Sequence, residues 1–161
     1  MKSKEIHIRY EEYQSINELK QNEITLLNAA KMATLNAYAP YSHFTVGAAV
    51  SLNNGEIIIG SNQENASYPL SLCAERVAIY HALSQYTRAS IEMLAIAACK
   101  SHHFTTDPIC PCGACLQVMH ESEIRSRKPM RILLYGENKI LTFTNTSKLL
   151  PFSFNPDTLS Q

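Results

Sequence analysis

Apolar positions along this chain follow two rhythms, one near every third or fourth residue and one near every second. Leu19, Ile24, Leu27, Ala30, Met32 and Leu35 recur at helical spacing, and Pro40 follows. That predicts a helix from Asn17 or Glu18 to Asn36. Thr45 to Leu52 reads as a strand, in which Gly47 and the alanines after it imply close packing. Asn53-Asn54-Gly55 is a hairpin turn signal, and Glu56 to Glu64 is the returning strand. Tyr68 to Leu72 leads into a helix from Cys73 to about Gln85, with Val77, Ala78 and Ala82 inward. Met93 to Cys99 is an unbroken apolar run, the mark of a strand covered on both faces. After a polar loop from Ser101 to Ile109 come a helix from Cys112 to about Glu123 and a buried strand from Met130 to Tyr135. Gly136-Glu137-Asn138-Lys139 turns into a strand from Ile140 to Phe143, and a short helix begins near Ser147, stopped by Pro151. Ahead of all this, Ile6, Ile8 and Tyr10 alternate with His7 and Arg9, which suggests a short strand or an extended arm.

Strand–helix–strand order favours parallel neighbours and a sheet covered on both sides. The expected fold is therefore α/β, a three-layer α/β/α sandwich with a mixed five-stranded sheet. The 161 residues fit one domain, placed at 16–161, with 1–15 as an N-terminal arm or extra strand. At 45% hydrophobic the chain can bury a sizeable core. Lys+Arg 14 against Asp+Glu 14 gives a net charge of +0 and no basic stripe, so nucleic acid is not an expected partner. No apolar run reaches the length of a membrane span, and the start, Met1 to Glu5, lacks the apolar segment expected of a signal peptide. The expected location is cytoplasmic. Five cysteines in a reducing compartment read as metal ligands and buried thiols rather than disulfides.

The chemistry concentrates in Cys73-Ala74-Glu75-Arg76 and Pro111-Cys112-Gly113-Ala114-Cys115. Three thiolates leave a tetrahedral zinc one open position, as catalytic zinc sites do, whereas structural sites fill all four. Cys112-x-x-Cys115 sets two sulfurs at one helix start, where the dipole favours thiolate. Glu75 is a carboxylate close to the metal but not needed as a ligand, so it can carry protons.

This pattern resembles the zinc deaminases of nucleobases, including their three-cysteine variant with a non-ligand Glu. The likeness extends through Tyr38-Ala39-Pro40-Tyr41-Ser42-His43-Phe44, Val46-Gly47-Ala48-Ala49, Asn62-Gln63-Glu64-Asn65-Ala66-Ser67-Tyr68-Pro69 and Leu149-Leu150-Pro151-Phe152-Ser153-Phe154. These motifs, from about Leu26 to Leu159, resemble the short, homotetrameric cytidine deaminases. The resemblance implies one Zn2+ per chain on Cys73, Cys112 and Cys115, and hydrolysis of cytidine and deoxycytidine to uridine and deoxyuridine in pyrimidine salvage. It implies Glu75 as the proton carrier and Arg76 as a hydrogen-bond donor to ligand sulfur. Phe44 then packs on the base, the Ala74 backbone contacts it, and Asn62 and Glu64 hold the ribose of a small-molecule nucleoside. Ala66, Tyr68 and Phe154 match positions that reach into a neighbouring subunit's pocket.

The other cysteines have blander readings. Cys99 sits in an apolar strand as a buried thiol, and Cys110, two residues before Cys112, is badly spaced to chelate with it. The six histidines have no metal spacing and read as surface or loop residues. Thr45 stands where similar sequences usually have proline, Leu116 where an arginine is common, and Cys110 where serine is more frequent. Two rivals share the motifs: a blasticidin-type aminonucleoside antibiotic deaminase, and a non-catalytic zinc-stabilised binding module. Transfer-RNA and deoxycytidylate deaminases usually begin the metal motif with His, and Cys73 argues against them.

Overall fold

The structure is a computed structural model and describes residues 1–160. Gln161, the last residue of the expected domain, lies outside the described residues. In chain order the regular elements are β1 (Glu11–Tyr13), α1 (Gln21–Ala33), β2 (Phe44–Leu52), β3 (Ile57–Ser61), α2 (Ala74–Gln85), β4 (Ile91–Lys100), β5 (His103–Phe104), α3 (Gly113–Ser126), β6 (Arg131–Tyr135) and β7 (Ile140–Phe143).

The sheet runs β1-β7-β6-β4-β2-β3, with β5 also paired to β4. Only β4 and β6 among these pairs are parallel, joined by the crossover through α3. The mixed, three-layer expectation holds, but the sheet has seven strands rather than five. The two extra strands are short: β1 has three residues and β5 two. The alternation at Ile6, Ile8 and Tyr10 is not a strand; these side chains are exposed, and pairing begins at Glu11. The first helix is also shorter than its periodicity suggested. It starts at Gln21, because a separate 3-10 turn over Ile16–Glu18 precedes it, and it tightens into another at Thr34–Asn36. The expected helix near Ser147 is a single 3-10 turn, Thr146–Lys148.

Strand alternation divides the core in two. Ala49, Ala95, Ala97 and Leu133 face α1 through Leu26, Leu27 and Ala30. Ala48, Val50, Leu94, Ile96, Ile132 and Leu134 face Ala78, Ile79, Ala82 of α2 and Leu116, Met119 of α3. Neighbours in β4 thus serve opposite layers, which is why its sequence is apolar without a gap. Two glycines let helices touch the sheet. A Cβ at Gly47 would collide with the Ala30 carbonyl of α1, and one at Gly60 with the Ala78 backbone of α2. The packing of α2 against β3 sets where its first residues, Ala74 and Glu75, come to lie.

Candidate active site

Two helices begin at one place. Cys73 is the N-cap of α2 and Cys112 the N-cap of α3. Cys115, one turn into α3, is fully buried, whereas Cys73 is half-buried and Cys112 exposed. Their three sulfurs lie within 4.8 Å of one another. Cys112 Sγ is 3.4 Å from Cys115 Sγ and 3.9 Å from Cys73 Sγ. Sulfurs bound at about 2.3 Å to one tetrahedral zinc sit about 3.8 Å apart, so this set fits the ion without rebuilding the chain. Neither Cys99 nor Cys110 joins the cluster. Cys99 Sγ instead meets Thr34 Oγ1 at 3.8 Å, on the α1 side of the sheet.

Electrostatics favour thiolate at Cys73 and the neutral thiol at Cys115 while no ion is bound. The Cys73 thiol is lowered to about 5, first by a hydrogen bond from Cys115 and then, against the opposing effect of burial, by Arg76. The Cys115 thiol is pushed up, because it supplies that hydrogen bond and is itself buried. Arg76 Nη2 donates to Cys73 Sγ at 3.8 Å and to the Ser71 carbonyl at 3.3 Å. A cation held this way offsets the charge of three sulfurs on a divalent ion.

Glu75 is 5% exposed and stands outside the sulfur set. Burial raises its carboxyl above the ordinary range, and the negative charge of Cys73 adds to this. A carboxyl with its proton affinity raised beside a metal set takes up a proton more readily than an ordinary carboxylate.

The segments carrying the other expected site residues are laced to the start of α2. Gln63 and Leu72 exchange backbone hydrogen bonds, both 2.9 Å, just before Cys73. Tyr38 N donates to the Asn62 carbonyl at 3.0 Å, and Glu64 N to the Tyr38 carbonyl at 2.8 Å. Asn62 and Glu64 already have structural work. Asn62 Oδ1 accepts from Val46 N at 2.7 Å, and its Nδ2 donates to the Phe44 carbonyl at 2.9 Å. Glu64 Oε2 accepts from Tyr41 N at 2.9 Å and from Ser42 N at 3.3 Å. These bonds, with the Ser42 side chain first, hold the Glu64 carboxyl below its ordinary range. Ala74 is buried and Phe44 half-buried, while Ala66, Tyr68 and Phe154 are exposed. Tyr68 meets only the edge of Tyr41 among described ring pairs, with centroids 5.9 Å apart.

His120, expected from the sequence at the surface, and Gln117, which no motif marks, each hold another segment in place. Gln117 Nε2 donates to the Phe154 carbonyl at 2.8 Å, and His120 Nε2 pairs with Ser153 Oγ at 2.9 Å. Both stand on α3 and fasten the C-terminal segment. Their three-residue spacing puts them on one helix face. Nothing local in the sequence says that residues 153 and 154 return to cover it. His102 lies with His43 along a hollow on the α1 side, among residues that include none of the three clustered cysteines.

Residues 20–128 match the family model described as the cytidine and deoxycytidylate deaminase zinc-binding region. The cytidine deaminase of Halalkalibacterium halodurans is 38% identical over 135 residues, 84% of this chain and 96% of that protein. The cytidine deaminase of Mycobacterium tuberculosis is 37% identical over 133 residues, 81% of this chain and 87% of that protein. Among solved structures, the cytidine deaminase of Burkholderia pseudomallei superposes with a TM-score of 0.70 at 37% identity, covering 84% of this chain and 100% of that one.

Proposed function

This chain belongs to the cytidine and deoxycytidylate deaminase family, and from that premise we propose how its residues divide the work of converting cytidine to uridine and ammonia. The protein is a zinc-dependent cytidine deaminase. The observation that carries this reading is the cluster of exactly those sulfurs that two helix starts bring within 4.8 Å, with buried Glu75 beside it and outside it. Cys73, Cys112 and Cys115 would hold zinc, which would act there as a Lewis acid and bring the pKa of a water toward neutrality. Glu75 takes a proton from the attacking water, delivers it to N3 of the base, and passes the second to the departing 4-amino group. One C–O bond forms at C4 and one C–N bond breaks, so water and cytidine become uridine and ammonia.

The remaining roles are the ones the resemblance carries onto these positions. Phe44, first residue of β2, forms the aromatic wall, and the Ala74 backbone meets the base edge. Asn62 and Glu64 hold the ribose with the donors and lone pairs that the β2 and loop bonds leave over. An ionised Glu64 is acceptor-only, which suits free sugar hydroxyls and repels phosphate. Deoxycytidine fits the same reading. Exposed Cys112 leaves the site open on one side. Exposed Tyr68, Leu70, Phe152 and Phe154, at 69%, 68%, 86% and 59%, are apolar surface that a second chain can cover. That supports a homotetramer in which Ala66, Tyr68 and Phe154 complete a neighbour's pocket. No helix among the described residues is long and apolar enough to cross a membrane, which is compatible with work in the cytoplasm.

The antibiotic-deaminase reading is not favoured, since the relatives matched over most of their length are cytidine deaminases. The binding-module reading leaves the fourth zinc position and Glu75 unexplained. The test is incubation of the zinc-loaded protein with cytidine, followed by the loss of absorbance as uridine forms. Conversion that stops with a chelator and returns with zinc is expected. Absence of uridine from a protein holding one zinc per chain overturns the reading.

A further inference from the structure

The same two helices that begin at the sulfur cluster end around a second hollow. It encloses about 300 Å³ and is lined by Asn53, Arg88, Ser90, Ser122, Arg125 and Lys128 among others. That volume suits a small ligand or a part of one. No acidic side chain lines it. Arg88, Arg125 and Lys128 make no ion pair among the described residues.

Exposed cations alone are ordinary. Here they line the same hollow as a residue whose buried hydroxyl has no partner. Ser90 is 8% exposed, and its Oγ is buried with no hydrogen bond. A hydroxyl left so is a rarity that asks for a ligand or a water. Beside it, Asn53 Oδ1 accepts from Ser90 N at 3.0 Å. That bond fixes the amide and leaves the Nδ2 hydrogens as donors.

The charge balance names the ligand. The carboxyl ends of α2 and α3 each bring about half a negative charge, roughly one together. Three side-chain cations exceed that by about two. A phosphate group near neutral pH carries about that charge and presents several acceptor oxygens. We propose that this hollow is a binding site for a phosphate group, free or carried by a small phosphate ester, at the end of the helix pair remote from the zinc ligands.

The experiment is calorimetric titration of the zinc-loaded full chain at constant ionic strength, with orthophosphate, ribose 5-phosphate and adenosine 5′-monophosphate. The purine keeps the third probe from competing as a pyrimidine substrate. Saturable binding of one phosphate group per chain is expected. It should weaken at least about tenfold in the triple variant Arg88→Ala, Arg125→Ala, Lys128→Ala, the loss typical of a charge-assisted hydrogen bond. Ser90→Ala should weaken it less. Both variants should keep the wild-type circular dichroism and kcat/KM for cytidine. Tighter binding of an ester than of orthophosphate identifies the ester as the ligand, and equal binding identifies the bare phosphate group. No saturable binding of any probe, or binding that the triple variant retains in full, overturns the proposal.

Discussion

The helix starts of this protein are built in two ways. Ahead of α1, Ser15 Oγ accepts from Asn17 N at 3.2 Å, and Glu18 Oε1 returns to Ser15 N at 2.8 Å. Glu23 then accepts from Lys20 N at 2.9 Å. These are capping bonds that satisfy orphan amides. The α2 and α3 helices instead begin on Cys73 and Cys112, with no side-chain cap at either. A missing cap costs about 1 kcal/mol. The cysteines turn their sulfurs toward each other, so the positive ends of both helices face a shared negative charge. One region spends its helix starts on stability, the other on chemistry.

The sharpest way to break this contrast is to remove a sulfur. Cys112→Ala should lose bound zinc and turnover together, measured by metal analysis and uridine formation. Full activity in a metal-free sample would end the argument. Glu75→Gln comes next in size. It should hold its zinc and lose roughly 10²–10⁴-fold in kcat, the range of general acid–base catalysis. Loss of zinc from this variant would make Glu75 a ligand and return the proton transfer to an unnamed group.

On the other side of the contrast, Glu23 is 3% exposed and also pairs with Arg131 across the molecule. Glu23→Ala removes a cap and strands part of a guanidinium. We expect a destabilisation of about 2–4 kcal/mol by urea denaturation, below the fully buried range because Arg131 keeps Glu11. The kcat of the folded fraction should be unchanged. A fall in kcat without a fall in stability would show that the two regions are not separate. Smaller still is the cap itself. With zinc chelated from both, Cys112→Ser should be more stable than Cys112→Ala by roughly 0.5–2 kcal/mol, because serine can cap the amides that cysteine leaves open. Equal midpoints would mean that the start of α3 gains nothing from a cap.

The chemistry was legible because its spacing is local. Cys112-x-x-Cys115 needs only one helix turn, and β4 declares its double burial by apolar residues on both parities. The outer parts of the proposed site depend on remote segments. Asn62 and Glu64 could be named from their motif, yet their bonds to Val46, Phe44 and Tyr41 come from loops and strands that meet only in the folded chain. His120 looked like a surface residue until Ser153 folded over it. β1 and β5 are too short for any periodicity to reveal. β1 also pairs with a strand at the far end of the sequence, Glu11 opposite Thr142. The unpaired hydroxyl of Ser90 has no sequence signal, since the burial of a serine just ahead of a strand is decided only in the folded chain.

Glu11 offers the smallest and most selective test of the stabilising region. It is an edge-strand carboxylate, yet it accepts from Arg131 Nη2 at 3.1 Å, Tyr13 Oη at 3.0 Å and Thr142 Oγ1 at 3.1 Å. The Arg131 bond foremost, then Tyr13 and Thr142, lowers its carboxyl from the ordinary 4.5. A carboxyl lowered by folding adds stability above its unfolded pKa and loses it as pH falls through the folded one. The side chain is 51% exposed, so water and salt screen the pair and the gain stays within about 1 kcal/mol. Glu11→Gln should therefore cost a few tenths of a kcal/mol near neutral pH. The deficit should shrink with added salt, begin to fall as pH drops below the ordinary 4.5, and vanish once pH is below the lowered folded value. Hydrogen exchange at Glu11 to Tyr13 should quicken more than exchange in β4, because loosening the edge need not open the core. Activity should not change. A deficit that persists at low pH would assign the anchoring to hydrogen-bond shape rather than charge, and a fall in kcat/KM would tie this edge to the sulfur cluster.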